Sequence, residues 1–210
     1  MSERPTAVPA ADSDAAAAPR RTRARPGERR QQILQTLASM LEQPGSERVT
    51  TAALAKRLQV SEAALYRHFA SKAQMFEGLI EFIEEALLGL VRQVQARSDP
   101  PRVQAAQIIT LVLRFAERNP GMTRVLIGDA LLLEHERLQA RINLLFDKIE
   151  AQLRQTLREA HAQHSTPAAQ AQLQAAWLMA LVQGRLLRQV RSGGRHAPTE
   201  ALADTLAQLL

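Results

Sequence analysis

The chain of 210 residues contains no cysteine. That excludes a disulfide framework and thiolate chemistry, and it fits a reducing cytoplasm. Aromatic residues make up only 3%, against 46% hydrophobic residues in all. The core must therefore consist mainly of Leu, Ala, Ile and Val, which suits packed helices. Period-two runs of Val, Ile, Thr and aromatics are nearly absent, so no sheet is expected. No apolar run reaches the ~18 residues of a membrane span. The N-terminus lacks the apolar region of a secretory signal. No Gly-rich phosphate loop occurs, and no nucleophile stands at a readable spacing from a base. An enzyme is not expected, and no cofactor or metal is implied. No internal repeat of the ~20–50-residue kind is present.

Charge is present but uneven. Residues 1–72 hold 12 Lys/Arg and 7 Asp/Glu, whereas residues 73–210 hold 15 and 14. Nearly all the positive excess lies in the first third, the electrostatic footprint of a polyanion partner. A basic tail alone fits acidic lipid or mere solubility equally well. The neighbouring helical segment shifts the balance to DNA.

That segment is Thr50–Lys72, TTAALAKRLQVSEAALYRHFASK. Leu54, Ala55 and Leu58 place apolar groups on one side of a first short helix. Val60 closes a turn, and Leu65 and Phe69 repeat the apolar side on a second helix. Ser61 is a good N-cap, and Glu62 puts a carboxylate in the first turn, where the helix dipole favours it. Ser61, Ala63, Tyr66, Arg67 and His68 point outward. Such a helix fits the major groove of double-stranded DNA, with its N-terminal residues toward base edges. The plainer alternative is an amphipathic helical hairpin in an ordinary core.

The rest reads as helices between breaks. Residues 1–27 are rich in Ala, Pro, Arg and Ser and are expected to be a disordered basic arm. Arg20, Arg21, Arg23, Arg25, Arg29 and Arg30 carry that basic arm into the first helix, where it can follow a phosphate backbone or enter a minor groove, or remain a solvated tail. A helix is expected over about 28–42, ended by Pro44-Gly45-Ser46. Ser71 caps a long helix to about Arg97. Further helices are expected over about 103–118, 123–133, 134–162, 168–191 and 198–210. The expected division is 1–27 arm, 28–72 DNA-binding head and 73–210 helical body. His161 and His164 have metal-ligand spacing, but a solvated helix end is the simpler reading. Trp177 and Met179 fill either core or dimer interface.

A three-helix head on an all-helical body resembles the TetR family of dimeric regulators. The segments VSEAALYRHFASK (60–72), LIEFIEE (79–85), ERNPG (117–121) and RLQARIN…LFDKIEAQLRQTLRE (137–159) are similar to its nucleoid-occlusion branch, over about residues 28–192. The resemblance implies an all-α homodimer that binds palindromic chromosomal sites. The last two helices would pair across a two-fold axis. When bound to DNA it would engage the tubulin-like division protein FtsZ and block septum assembly over the nucleoid. Thr50, Thr51, Ser61, Ala63, Tyr66, Arg67, His68 and Lys72 match the DNA-binding group. Thr50 and Thr51 would cap their helix and donate to phosphate, and Lys72 would hold phosphate. Phe82, Leu111, Arg118 and Asn119 match the FtsZ surface. The pattern departs at Leu90, where Arg is expected, and at Arg114, where Gly is expected. One cation lost and another gained nearby would either keep the local charge or weaken and reshape the FtsZ surface. Gln59 stands in place of a turn glycine, the arm is longer and more basic, and the C-terminal helix differs. The rival reading is a transcriptional repressor of the same fold controlled by a small molecule. A third is an architectural DNA protein with little sequence preference.

Overall fold

Between its breaks the chain is dominated by Leu, Ala, Gln, Glu and Arg, all good helix formers. The computed structural model describes residues 27–42, 49–132, 134–162 and 168–210. These form α1 (Glu28–Leu41), α2 (Thr51–Arg57), α3 (Glu62–Tyr66), α4 (Lys72–Gln95), α5 (Pro101–Arg118), α6 (Pro120–Leu126), a 3-10 turn (Asp129–Leu131), α7 (Glu136–Ala162), α8 (Ala168–Arg191) and α9 (Leu202–Leu209). No strand occurs among the described residues. The expected arm up to Pro26 and the Pro44–Ser46 and Ser165–Pro167 signals lie outside them.

Helices α1 to α3 form the head. Its apolar residues Ile33, Leu37, Leu54, Leu65 and Phe69 join Phe76, Leu79 and Ile80 of α4 in one continuous core. Each such side chain contributes on the order of 1.5–3 kcal/mol when fully buried. Helix α4 therefore starts under the head and runs on into the body. It turns back at residues 96–100 to pack against α5, and α7 packs on α4, α5 and α8.

Two expected boundaries move. The helix expected over 123–133 begins at Pro120 and ends at Leu126. Proline is well suited to the first helical position, because its missing N–H would go unbonded there anyway. Asn-Pro-Gly is thus a stop followed at once by a start. Gly128, left-handed at φ 78, ends this segment before the single 3-10 turn. The last helix begins at Leu202 rather than Pro198, after Ala201 in a left-handed conformation at φ 46. The guanidinium of Arg185 holds the approach to it, donating to the carbonyls of Pro198 (2.9 Å) and Glu200 (2.7 Å) and to the Thr205 hydroxyl (2.9 Å).

For His161 the expected solvated helix end is not found, and His164 lies outside the described residues. His161 is buried, with Nε2 3.0 Å from Gln174 Oε1. Gln174 in turn donates to the Leu209 carbonyl, so the end of α7 is sealed by α8 and α9 rather than solvated. Met179 lies in the core, whereas Trp177 is 55% exposed on the outer side of α8.

Candidate nucleic-acid interface

The head is built by its caps. The Thr50 hydroxyl accepts from the Ala53 N–H (3.1 Å), Ser61 from Ala64 (3.3 Å) and Ser71 from Gln74 (3.2 Å). Each cap satisfies a helix-end donor and is worth about 1 kcal/mol. Between α2 and α3 the turn passes through Gln59 at φ 55, the left-handed position foreseen for a glycine. A side chain there costs on the order of 1–2 kcal/mol.

Ser61, Ala63, Tyr66, Arg67 and His68 are all exposed on or beside α3. Helix α3 is only 5 residues long, and Arg67 is its C-cap. Tyr66, Arg67 and His68 therefore extend from its last turn. Thr51 departs from its expected role. It is the first residue of α2, not a cap, and its hydroxyl donates to the Glu62 carboxylate (2.6 Å). That bond ties the starts of α2 and α3 together.

Lys72 is half-buried and already paired. Its ammonium lies 2.5 Å from Glu134 Oε1 and 5.6 Å from the Phe76 ring centre. A phosphate at Lys72 would share or replace the Glu134 carboxylate. Arg30, counted with the basic arm, instead braces the head. Its guanidinium lies 4.2 Å from the Phe69 ring centre and donates to the His68 carbonyl (3.2 Å). Neither Glu134 nor Arg30 has a local sequence pattern, because each partner is far along the chain.

The second residue group lies on the α4–α5 hairpin. Phe82 is 40% exposed, Leu111 is half-buried and Arg118 is exposed. Phe82 and Arg114 stand at matching separations from the turn at residues 96–100, so they lie at one level of the hairpin. Leu90 lies two turns farther toward that turn, about 12 Å at the helical rise. Arg114 is exposed but does not return a cation to the Leu90 position. Asn119 is committed locally: as the C-cap of α5 its amide donates to the Phe115 carbonyl (2.7 Å).

Head and body meet at α6. A Cβ on Gly121 would stand 2.0 Å from the Ala38 carbonyl oxygen, so only glycine lets α6 approach α1 this closely. Arg124 donates to the Leu41 carbonyl (3.1 Å) at the end of α1, where a cation is favoured, and to Asp129 (2.6 Å). A neighbouring charge layer joins α4 to α7. The Glu84 carboxylate accepts from Arg141 (2.6 Å and 2.9 Å) and Lys148 (3.2 Å). Burial alone would raise the Glu84 pKa, but the hydrogen bonds and charges of Arg141 and Lys148 outweigh it and hold the carboxyl below its usual range.

Residues 33–79 match the pattern of the bacterial regulatory proteins of the tetR family, and residues 101–210 match the SlmA-like tetracyclin repressor-like C-terminal domain. The chain is 50% identical over 184 residues to the nucleoid occlusion factor SlmA of Vibrio vulnificus (strain YJ016), covering 86% of this chain and 93% of that protein. It is 51% identical over 179 residues to the SlmA of Vibrio atlanticus (strain LGP32), covering 84% and 91%. The chain belongs to the SlmA branch of the TetR family. SlmA-type proteins are DNA-binding regulators rather than enzymes. The fold agrees: a fatty acid degradation regulator FadR from Bacillus halodurans superposes with a TM-score of 0.74 at 14% identity, covering 89% of this chain and 96% of that one. In this SlmA-type chain no described helix is long and apolar enough to cross a membrane.

Proposed function

We propose that this chain acts as a nucleoid occlusion factor in the cytoplasm. It binds palindromic chromosomal sites as a homodimer and, when DNA-bound, engages FtsZ to prevent septum assembly over the nucleoid. The observation that carries this reading is the SlmA relationship, which extends through the body as well as the head. The geometry supports each part. The face of Ser61, Ala63, Tyr66, Arg67 and His68 is open to a major groove. The outer side of α8 presents Leu173, Ala176, Trp177, Ala180 and Gly184 at helical spacing, a largely exposed stripe suited to pairing with its copy across a two-fold axis. The α4–α5 hairpin carries exposed Phe82, Arg114 and Arg118 and half-buried Leu111, which suits an acidic segment with an apolar anchor.

The repressor reading would need an enclosed apolar pocket between the body helices. One body cavity, lined by Leu126, Ile127, Gln139 and Phe146 among others, has a volume of about 220 Å³. That is below the ~300 Å³ at which ligand pockets begin. The test of the FtsZ surface is Arg118→Ala. It should leave operator affinity unchanged and lower FtsZ binding at least several-fold. Equal FtsZ affinity would move the surface elsewhere.

A further inference from the structure

The longest acid-free stretch of the chain runs from residue 160 to 199 and contains Arg185, Arg188, Arg191 and Arg195. Arg185 is occupied in holding the approach to α9. The other three are exposed. After α8, Gly193 (φ 62) and Gly194 (φ 83) take left-handed conformations and fold the chain back. His196 thereby returns beside Arg188, with Nδ1 3.2 Å from the guanidinium. Arginine only donates, so Nδ1 accepts in that contact. Glu200, 3.6 Å from the same Nδ1, is the one carboxylate lining the place. Two adjoining open clefts of about 260 and 470 Å³ share Arg188 and His196, and Arg191 lines the second. Arg191 has no hydrogen-bond or ion-pair partner among the described residues.

Three contacts place this cluster at the head end of the body. The Gln189 amide donates to the Ala116 carbonyl (3.3 Å) at the end of α5. The Thr199 hydroxyl donates to Glu117 (2.6 Å). Leu187 lines a cavity with Ile127, just past α6, the helix on which α1 sits. The outer stripe of α8, Leu173, Trp177, Ala180 and Gly184, continues at helical spacing into Arg188 and Arg191. Paired about a two-fold axis running along α8, two such stripes would bring the two clusters together at the head end of the body.

We propose that this cluster is a second DNA contact, in which Arg188, Arg191, Arg195 and His196 of both protomers hold backbone phosphates of the DNA joining the two half-sites. It rests on the DNA-bound dimer proposed above. Guanidinium groups match phosphate oxygens in a fork geometry. A duplex gripped by both heads carries a continuous row of phosphates past this end of the body. The contact carries no sequence information, and it adds to affinity only when both heads are engaged.

The test compares the unaltered chain with the triple variant Arg188→Gln, Arg191→Gln, Arg195→Gln on a self-selected palindrome. The variant should remain a dimer by sedimentation and keep its base preference. Its plot of log affinity against log salt should flatten by roughly 2 units, since each phosphate contact contributes about 0.9 and each protomer at least one. Uncharged methylphosphonate linkages in the DNA between the half-sites should weaken the unaltered chain and leave the variant unaffected. An unchanged slope overturns the proposal, as does a neutral linker that costs both proteins equally or costs the unaltered chain nothing. Failure of the unaltered chain to bind any selected site overturns the DNA-bound dimer itself, and this contact with it.

Discussion

Arg67 is the residue on which the DNA reading can be checked most narrowly. It is exposed at the C-cap of α3, and its removal should disturb no core contact. Arg67→Ala is expected to weaken specific DNA binding by about 1–3 kcal/mol while leaving thermal stability within error. Unchanged operator affinity in a binding titration would remove Arg67 from the recognition face. At this scale the sequence is informative wherever the chemistry is local. Thr50, Ser61 and Ser71 are caps because a hydroxyl reaches an N–H three residues on, a distance the sequence states directly. Gln59 takes the left-handed turn at the position where the resemblance places a glycine. Thr51 and Arg30 depart from expectation, and Lys72 gains a partner that the sequence does not announce, because their partners are set by folding. Glu62 captures one, Glu134 another, and Phe69 the third, and no spacing rule links those pairs.

Helices are legible where apolar periodicity and a breaker coincide, as in α4 and α7. They are less so where one residue serves two elements. Asn119-Pro120-Gly121 reads as a terminator, yet Pro120 opens α6 and Gly121 lets it press on α1. Gly121→Ala should therefore destabilise the fold by roughly 1–3 kcal/mol, since a Cβ would be forced against the Ala38 carbonyl. Urea unfolding checks it, and a variant as stable as the parent would show that α6 and α1 separate at no cost.

The α4–α7 charge layer makes a pH prediction. Glu84 has a lowered pKa in the folded chain, through Arg141 and Lys148. Its contribution is thus fully present above the ordinary carboxylate range and is lost as pH falls through the lowered folded value. The stability gap between the parent and Glu84→Gln should be widest near neutral pH and close on acidification below about 4. A gap of constant size across that window would mean that the carboxylate charge contributes nothing there.

For the whole molecule, the all-helical class is legible from the scarcity of aromatics and β-branched runs, and the head from one segment with its charge. The closed end of the body is not. His161 reads as solvated because its cover, Gln174 and the α9 terminus, comes from later in the chain. The basic cluster at the end of α8 is hidden in the sequence because the body as a whole is nearly neutral, and only the fold gathers Arg188, Arg191 and His196 in one place.

The central claim is that one dimer joins DNA to FtsZ and does so only when DNA is bound. The most direct measurement is FtsZ binding by the purified protein with and without palindromic DNA that the protein itself has selected. The account predicts FtsZ binding that rises at least about tenfold, equivalent to ~1.4 kcal/mol, when that DNA is added, and no rise with an unselected duplex. Tight DNA binding with no FtsZ contact in either state would contradict it.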